Sequence, residues 1–169
     1  MSAETERIAI CPGSYDPVTN GHLDIITRAA SIFDRIVVGV VNQPIRKKKT
    51  LFTAEERRDF ILAATSHLDN VEVVIFSNLV VDLARERGAT AIIKGLRAIS
   101  DFEYEFEMAQ LNNKIDNGIE SVYVFARPNY SFLSSTGVKE MATFSADISD
   151  LVPAPVAVAL ADRLARDRD

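Results

Sequence analysis

The run Arg7-Ile8-Ala9-Ile10-Cys11-Pro12-Gly13-Ser14-Tyr15-Asp16-Pro17-Val18-Thr19-Asn20-Gly21-His22 decides the fold. Its apolar start, Arg7 to Ile10, reads as a buried strand. Cys11 to His22 reads as a Gly/Pro/Ser turn, and Leu23 to Ala30 as an amphipathic helix. A strand, a tight turn and a helix are how an α/β protein offers backbone N–H groups to a phosphate. A histidine at the start of that helix is a candidate for handling negative charge.

The same alternation continues outward. Ile36 to Val41 is a β-branched run bounded by polar residues, and its unbroken apolarity predicts a parallel sheet covered on both faces. Asn42 to Leu51 reads as a basic loop centred on Arg46-Lys47-Lys48-Lys49. Thr53-Ala54-Glu55-Glu56 has the capping-box pattern and predicts a helix to about His67. Val71 to Phe76 is the third strand, followed by a helix from Leu79 to Arg87 that Gly88 ends. Ala91 to Lys94 is a short fourth strand and Gly95-Leu96-Arg97 a turn after it. A helix over Asp101 to Asn113, a strand over Ser121 to Ala126 and a helix opened by Ser134-Ser135-Thr136 follow. Pro153 and Pro155 begin the last helix. The expected fold is a Rossmann-like, doubly wound five-stranded parallel sheet. It is expected to form one domain over residues 1–169, with 1–6 and 163–169 frayed.

Composition narrows the function classes. The chain has 169 residues, 47% of them hydrophobic and 25% charged, which fits one domain with a real core. Its net charge of −5 argues against a general nucleic-acid binder. No apolar run is long enough to span a bilayer, so no membrane partner is expected. The polar, acidic start does not read as a signal peptide. A single cysteine cannot form an internal disulfide and suits a reducing cytoplasm.

In a doubly wound fold, ligands sit at the carboxyl ends of the strands. The loops there hold Gly13 to His22, the basic run at 46–49, Ser77-Asn78-Leu79, Lys94 to Arg97 and Arg127 to Thr136. Backbone donors, hydroxyls and cations should therefore converge, as phosphate chemistry needs. Neither a Gly-x-x-x-x-Gly-Lys-Ser/Thr run nor a Gly-x-Gly-x-x-Gly run follows the first strand. Each feature also has a plain structural reading. His22 and Ser134-Ser135-Thr136 could simply cap helices, the basic run could be a solvated loop, and Cys11 could pack as a small apolar residue. Asp101, Glu103, Glu105 and Glu107 read as a solvated helix edge.

Thr19-Asn20-Gly21-His22 resembles the T/HxGH signature of the nucleotidyltransferase superfamily, and Leu133-Ser134-Ser135-Thr136 resembles its second, ISST-like signature. With Pro12 to Pro17, Lys94-Gly95-Leu96-Arg97 and Asp101-Phe102-Glu103-Tyr104-Glu105, the chain from about Ile8 to Leu160 resembles the bacterial phosphopantetheine adenylyltransferases. The resemblance implies that ATP and 4′-phosphopantetheine give dephospho-coenzyme A and pyrophosphate. It also implies Mg²⁺ as cofactor, a cytoplasmic homohexamer, and coenzyme A as a feedback ligand. By motif, His22 would stabilise the transition state. Ser14, Tyr15, His22, Gly95, Leu96, Arg97, Glu105, Tyr130, Ser131, Phe132, Leu133, Ser134, Ser135 and Thr136 would bind ATP. Ser14, Lys48, Leu79, Val80 and Lys94 would bind the acceptor. The loop cation is Arg46 counted forward from Pro44, or Lys48 counted back from Phe52; Lys48 is favoured. Lys94 stands where many relatives carry arginine; a lysine there keeps the charge and loses the bidentate geometry. The role of Lys139 is open, and no Mg²⁺ ligand is assigned.

The attacking group would be a phosphate oxygen, anionic near neutral pH, so no protein base is required. Catalysis would be alignment of two anions and neutralisation of charge growing on phosphorus. A nucleotidyltransferase acting on nicotinate mononucleotide or glycerol phosphate, or a non-catalytic nucleotide sensor, are the other readings.

Overall fold

The computed structural model describes residues 6–45 and 49–166. Five strands, β1 (Ile8–Gly13), β2 (Arg35–Val41), β3 (Val71–Phe76), β4 (Ala91–Leu96) and β5 (Glu120–Phe125), form one sheet in the order β3-β2-β1-β4-β5. Every pairing is parallel. Six helices connect or flank them: α1 (Asn20–Ala30), α2 (Ala54–Ala64), α3 (Val80–Arg87), α4 (Ile99–Ile115), α5 (Ser135–Thr143) and α6 (Ala154–Arg166). The doubly wound α/β expectation is met.

Side chains of β1 alternate between two cores, as the period of a strand requires. Ala9 and Cys11 join the larger cluster with Val38, Phe52, Ile61, Val138 and Leu160. Ile8 and Ile10 join the smaller one with Val81, Leu83 and Ala84 of α3. Both faces of the sheet are therefore covered, which is why its central strands read as unbroken apolar runs.

Strand order reverses between β1 and β4, where one half of the chain winds away from the other. The pairing there is short. β1 stays in register with β2 from Ile8↔Arg35 to Gly13↔Val40. With β4 it matches only Ala9↔Ala91 and Ile10↔Ile92. Beyond Ile10 the two strands part and leave a seam at their carboxyl ends, the switch point at which such folds bind ligands.

Several boundaries differ from the sequence reading. β1 continues three residues past Ile10, paired with β2 throughout. α1 begins at Asn20 rather than Leu23, because Thr19 caps it. α2 stops at Ala64, where the Thr65 hydroxyl donates to the Ile61 carbonyl. Gly95 and Leu96, expected as a turn, belong to β4 and pair with Val124 and Phe125. α4 starts two residues before Asp101, whose carboxylate reaches back to the Ala98 N–H. α6 runs to Arg166, the last described residue. Arg163 donates to the Leu51 carbonyl and to Glu56, both at 2.6 Å, and lies over the Phe52 ring.

Candidate active site

A cleft of about 310 Å³ opens at the seam. Its walls come from the β1–α1 turn, the end of β4, the first turns of α4 and the start of α5.

The first wall is built by a capping box. The Thr19 hydroxyl caps the His22 N–H, and the His22 ring returns to the Thr19 backbone. The Thr19 N–H donates to His22 Nδ1 at 3.0 Å. An accepting Nδ1 places the ring proton on Nε2. Tyr15 meets the imidazole edge-on, ring centroids 5.1 Å apart, and its hydroxyl donates to the Cys11 carbonyl at 2.9 Å. Tyr15 holds a positive φ of 48°, a strained position for a side-chain-bearing residue. Gly13 makes room for it: a Cβ on Gly13 would stand 2.9 Å from the Tyr15 ring. Burial pushes the Tyr15 phenol well above its usual range.

The opposite wall carries paired charges. Lys94 on β4 meets Glu105 of α4 at 3.1 Å. Arg97 reaches Asp101 at 3.5 Å, while its Nη1 donates to the Leu133 carbonyl at 2.6 Å. Asp101 and Glu105 thus both line the cleft. This corrects their reading as a solvated edge, since residues four apart share a helix face. Gly95 lies flat against α1: a Cβ there would stand 3.0 Å from Ile25 Cγ1. At the third side, Ser134 caps α5 by accepting from the Gly137 N–H at 3.0 Å, and the Ser135 hydroxyl donates to the Pro17 carbonyl at 2.8 Å. The N-terminus of α5, a natural anion seat, closes the cleft.

Of the residues named from sequence, Tyr15, His22, Lys94, Gly95, Arg97, Glu105, Tyr130, Leu133, Ser134, Ser135 and Thr136 line this cleft. Ser14, Leu96, Ser131 and Phe132 do not. The Ser14 carbonyl is turned to Arg57, Leu96 is buried, and Phe132 is exposed. Leu79 is the exposed cap residue before α3 and Val80 opens that helix, at the end of β3 and outside the cleft. Arg46 and Lys48 lie outside the described residues.

Cys11 forms part of the floor. Burial pushes its thiol up to about 12, against a smaller pull from Lys94, so it stays protonated and serves as a small apolar residue. Two buried charged groups behind the cleft escaped the sequence reading. Asp16 is fully buried and accepts from the Leu51 and Phe52 N–H groups and from Lys139. Burial alone would raise its pKa; those three donors overcome this and hold it below the usual carboxylate value. Arg57 is likewise fully buried and donates to the carbonyls of Ser14, Val41, Asn42, Phe52 and Thr53. Its burial, at the same helical face as Ala54 and Ile61, was available from spacing.

Among the described residues, no group of three or more His, Cys, Asp or Glu side chains could hold a metal ion. Both carboxylates in the cleft are already engaged by cations.

The geometry agrees with three comparisons. A cytidylyltransferase-like family model matches residues 10–141. A phosphopantetheine adenylyltransferase of Streptomyces coelicolor is 52% identical over 159 residues, covering 94% of this chain and 98% of its own. A solved structure from Vibrio parahaemolyticus, provisionally assigned as a nicotinate-nucleotide adenylyltransferase, superposes with a TM-score of 0.69. It covers 96% of this chain and 97% of its own at 17% identity, a likeness of fold. By sequence over nearly its whole length, and by the two signatures that meet across the seam, this chain belongs to the cytidylyltransferase-like nucleotidyltransferases and, among them, to the phosphopantetheine adenylyltransferases.

Proposed function

We propose that the seam cleft transfers the adenylyl group of ATP to 4′-phosphopantetheine, giving dephospho-coenzyme A and pyrophosphate. An oxygen of the acceptor phosphate attacks the α-phosphorus. The bond from that phosphorus to the bridging oxygen breaks, and pyrophosphate leaves with the electron pair. The acceptor oxygen is already anionic, so the cleft needs no general base, and its walls offer cations and N–H donors instead. The observation that carries the reading is the His22 ring in a wall of the cleft: Nδ1 accepts from the Thr19 N–H, which puts the ring proton on Nε2, the nitrogen we assign to the α-phosphate. Lys94 serves the acceptor phosphate. Arg97, Glu105 and the start of α5 serve ATP, with Ser14 and Tyr15 at the turn between the substrates. Lys48, Leu79 and Val80 complete the acceptor side.

Magnesium enters as MgATP. Octahedral Mg²⁺ usually keeps several waters and takes phosphate oxygens with one or two carboxylates, which suits walls without a metal cage of their own. The assembly is a cytoplasmic homohexamer. Ile99, Phe102, Phe106, Leu111 and Ile115 on α4 are exposed apolar side chains, with Phe102 and Phe106 stacked 5.8 Å apart, and support self-association. No helix among the described residues is long and apolar enough to cross a membrane. Coenzyme A, which contains the acceptor's pantetheine arm, is the feedback ligand.

The test is turnover of the purified chain with MgATP and 4′-phosphopantetheine, following dephospho-coenzyme A and pyrophosphate together. Both should appear in equal amounts. Pyrophosphate with only nicotinate mononucleotide or glycerol phosphate would move the chain to another acceptor. ATP binding without pyrophosphate from any acceptor would make it a sensor. Sedimentation at six times the 18.7 kDa chain mass checks the hexamer.

A further inference from the structure

The two signatures of the cleft lie far apart in the chain, and something must set their spacing. Tyr15, Thr19, Gly21 and His22 stand in one wall and Ser134 to Thr136, at the start of α5, in the other. Behind both sits Asp16, with a side chain of zero exposure. Its Oδ1 accepts from Leu51 N–H at 3.1 Å and Phe52 N–H at 3.0 Å; its Oδ2 accepts from Leu51 N–H at 3.0 Å and Lys139 Nζ at 3.1 Å. Lys139 lies one turn past Ser135 on α5, and Ser135 itself holds the Pro17 carbonyl. From below, Arg57 grips the Ser14 carbonyl at 2.6 Å and the end of β2 at Val41. By charge and position, Lys139 would pass for a phosphate cation. Its ammonium instead faces Asp16, and the residue does not line the cleft.

We infer that the Asp16–Lys139 ion pair is a positioning device that sets the distance between the His22 wall and the α5 wall of the active site. This rests on the proposed adenylyl transfer for its kinetic readout. A part-buried pair with backbone donors on the remaining lone pairs holds a fixed geometry, unlike a surface pair. Small misplacements of groups that must meet a reacting phosphorus cost rate more than they cost affinity. Neither residue lines the cleft, so both are positioning residues.

Lys139→Met, Lys139→Arg, Asp16→Asn and the Asp16→Asn/Lys139→Met double variant form the test. Lys139→Met should lower kcat about 10- to 100-fold. Its ATP dissociation constant should stay within about threefold, the split expected when only transition-state alignment is lost. Lys139→Arg, which keeps the charge, should recover most of the lost kcat. Because the two act as one unit, the double variant should be no slower than the slower single. An unchanged kcat in folded Lys139→Met, even with a lowered melting temperature, overturns the inference. So does a loss of ATP affinity with kcat kept, which would make Lys139 a phosphate contact. If Asp16→Asn does not fold, the two Lys139 variants decide alone. The wild type, assayed alongside, reports separately on the reaction. Should it make no dephospho-coenzyme A, the His22 ring ¹⁵N resonances still decide: they should shift in Lys139→Met, and an unmoved ring overturns the inference.

Discussion

His22 closes the cap of its own helix with one nitrogen and so fixes the proton on the other. That double duty separates two effects of removing it. His22→Ala should lower kcat by about 100- to 1,000-fold, the usual loss for one donor aimed at developing charge. ATP affinity should change little, so calorimetric binding beside single-turnover rates is the check. An affinity loss as large as the rate loss would take His22 out of the chemistry. Lys94 and Glu105 present a different case. Each is assigned to a different substrate, yet in the structure they hold one another at 3.1 Å. Glu105→Gln releases the lysine. The acceptor's KM should fall by about two- to fivefold, the worth of a modest, part-exposed pair, while ATP binding weakens. An acceptor KM that rises would mean that Glu105 orients Lys94 rather than competing for it.

Among the elements, α1 gives the cleft Gly21, His22, Ile25 and Ile26 and depends on its first turn. Thr19→Ala removes the hydroxyl cap and should cost about 1 kcal/mol of stability, read from urea unfolding. Because the Thr19 backbone N–H remains, the histidine keeps its Nδ1 partner. Turnover should therefore survive better than in His22→Ala. The periodicity of the strands and the Gly/Pro punctuation were enough to read β1 through β5 and the loops at their carboxyl ends. The ends of elements were harder, since they depend on caps: Thr19 moved the start of α1, and ladder bonds to β5 drew Gly95 and Leu96 into β4. Asp16 was hidden because its partners, Leu51, Phe52 and Lys139, are 35 residues or more away, and no local pattern marks them. Arg57 was hidden in plain sight. It stands in a charged run, Glu55-Glu56-Arg57-Arg58, yet falls on the buried face of α2 with Ala54 and Ile61. Asp101 and Glu105 read as a solvated edge in the charged run 101–107, and only the motif resemblance singled out Glu105; their spacing of four puts both on the face of α4 that lines the cleft.

At the scale of the whole molecule, Asp16 links stability to pH. Its carboxyl is held below its usual value in the fold, so its contribution is complete above the unfolded value and is lost as pH falls through the folded one. Urea midpoints should therefore drop below about pH 4, where free aspartate begins to protonate. The drop should be shallower in Asp16→Asn; an equal slope would place the acid sensitivity elsewhere. The short pairing of β1 with β4 has a last consequence. After Ile10 and Ile92 the ladder stops, and the rungs that would have continued it are replaced by empty cleft. A nucleotide seated there touches both banks and serves as a removable piece of the sheet's own architecture. Affinity and folding stability then become one quantity measured in two ways. ATP at about 100 times its dissociation constant should add ~2.7 kcal/mol to unfolding. With no acceptor present to consume the nucleotide, the melting temperature should rise with nucleotide concentration.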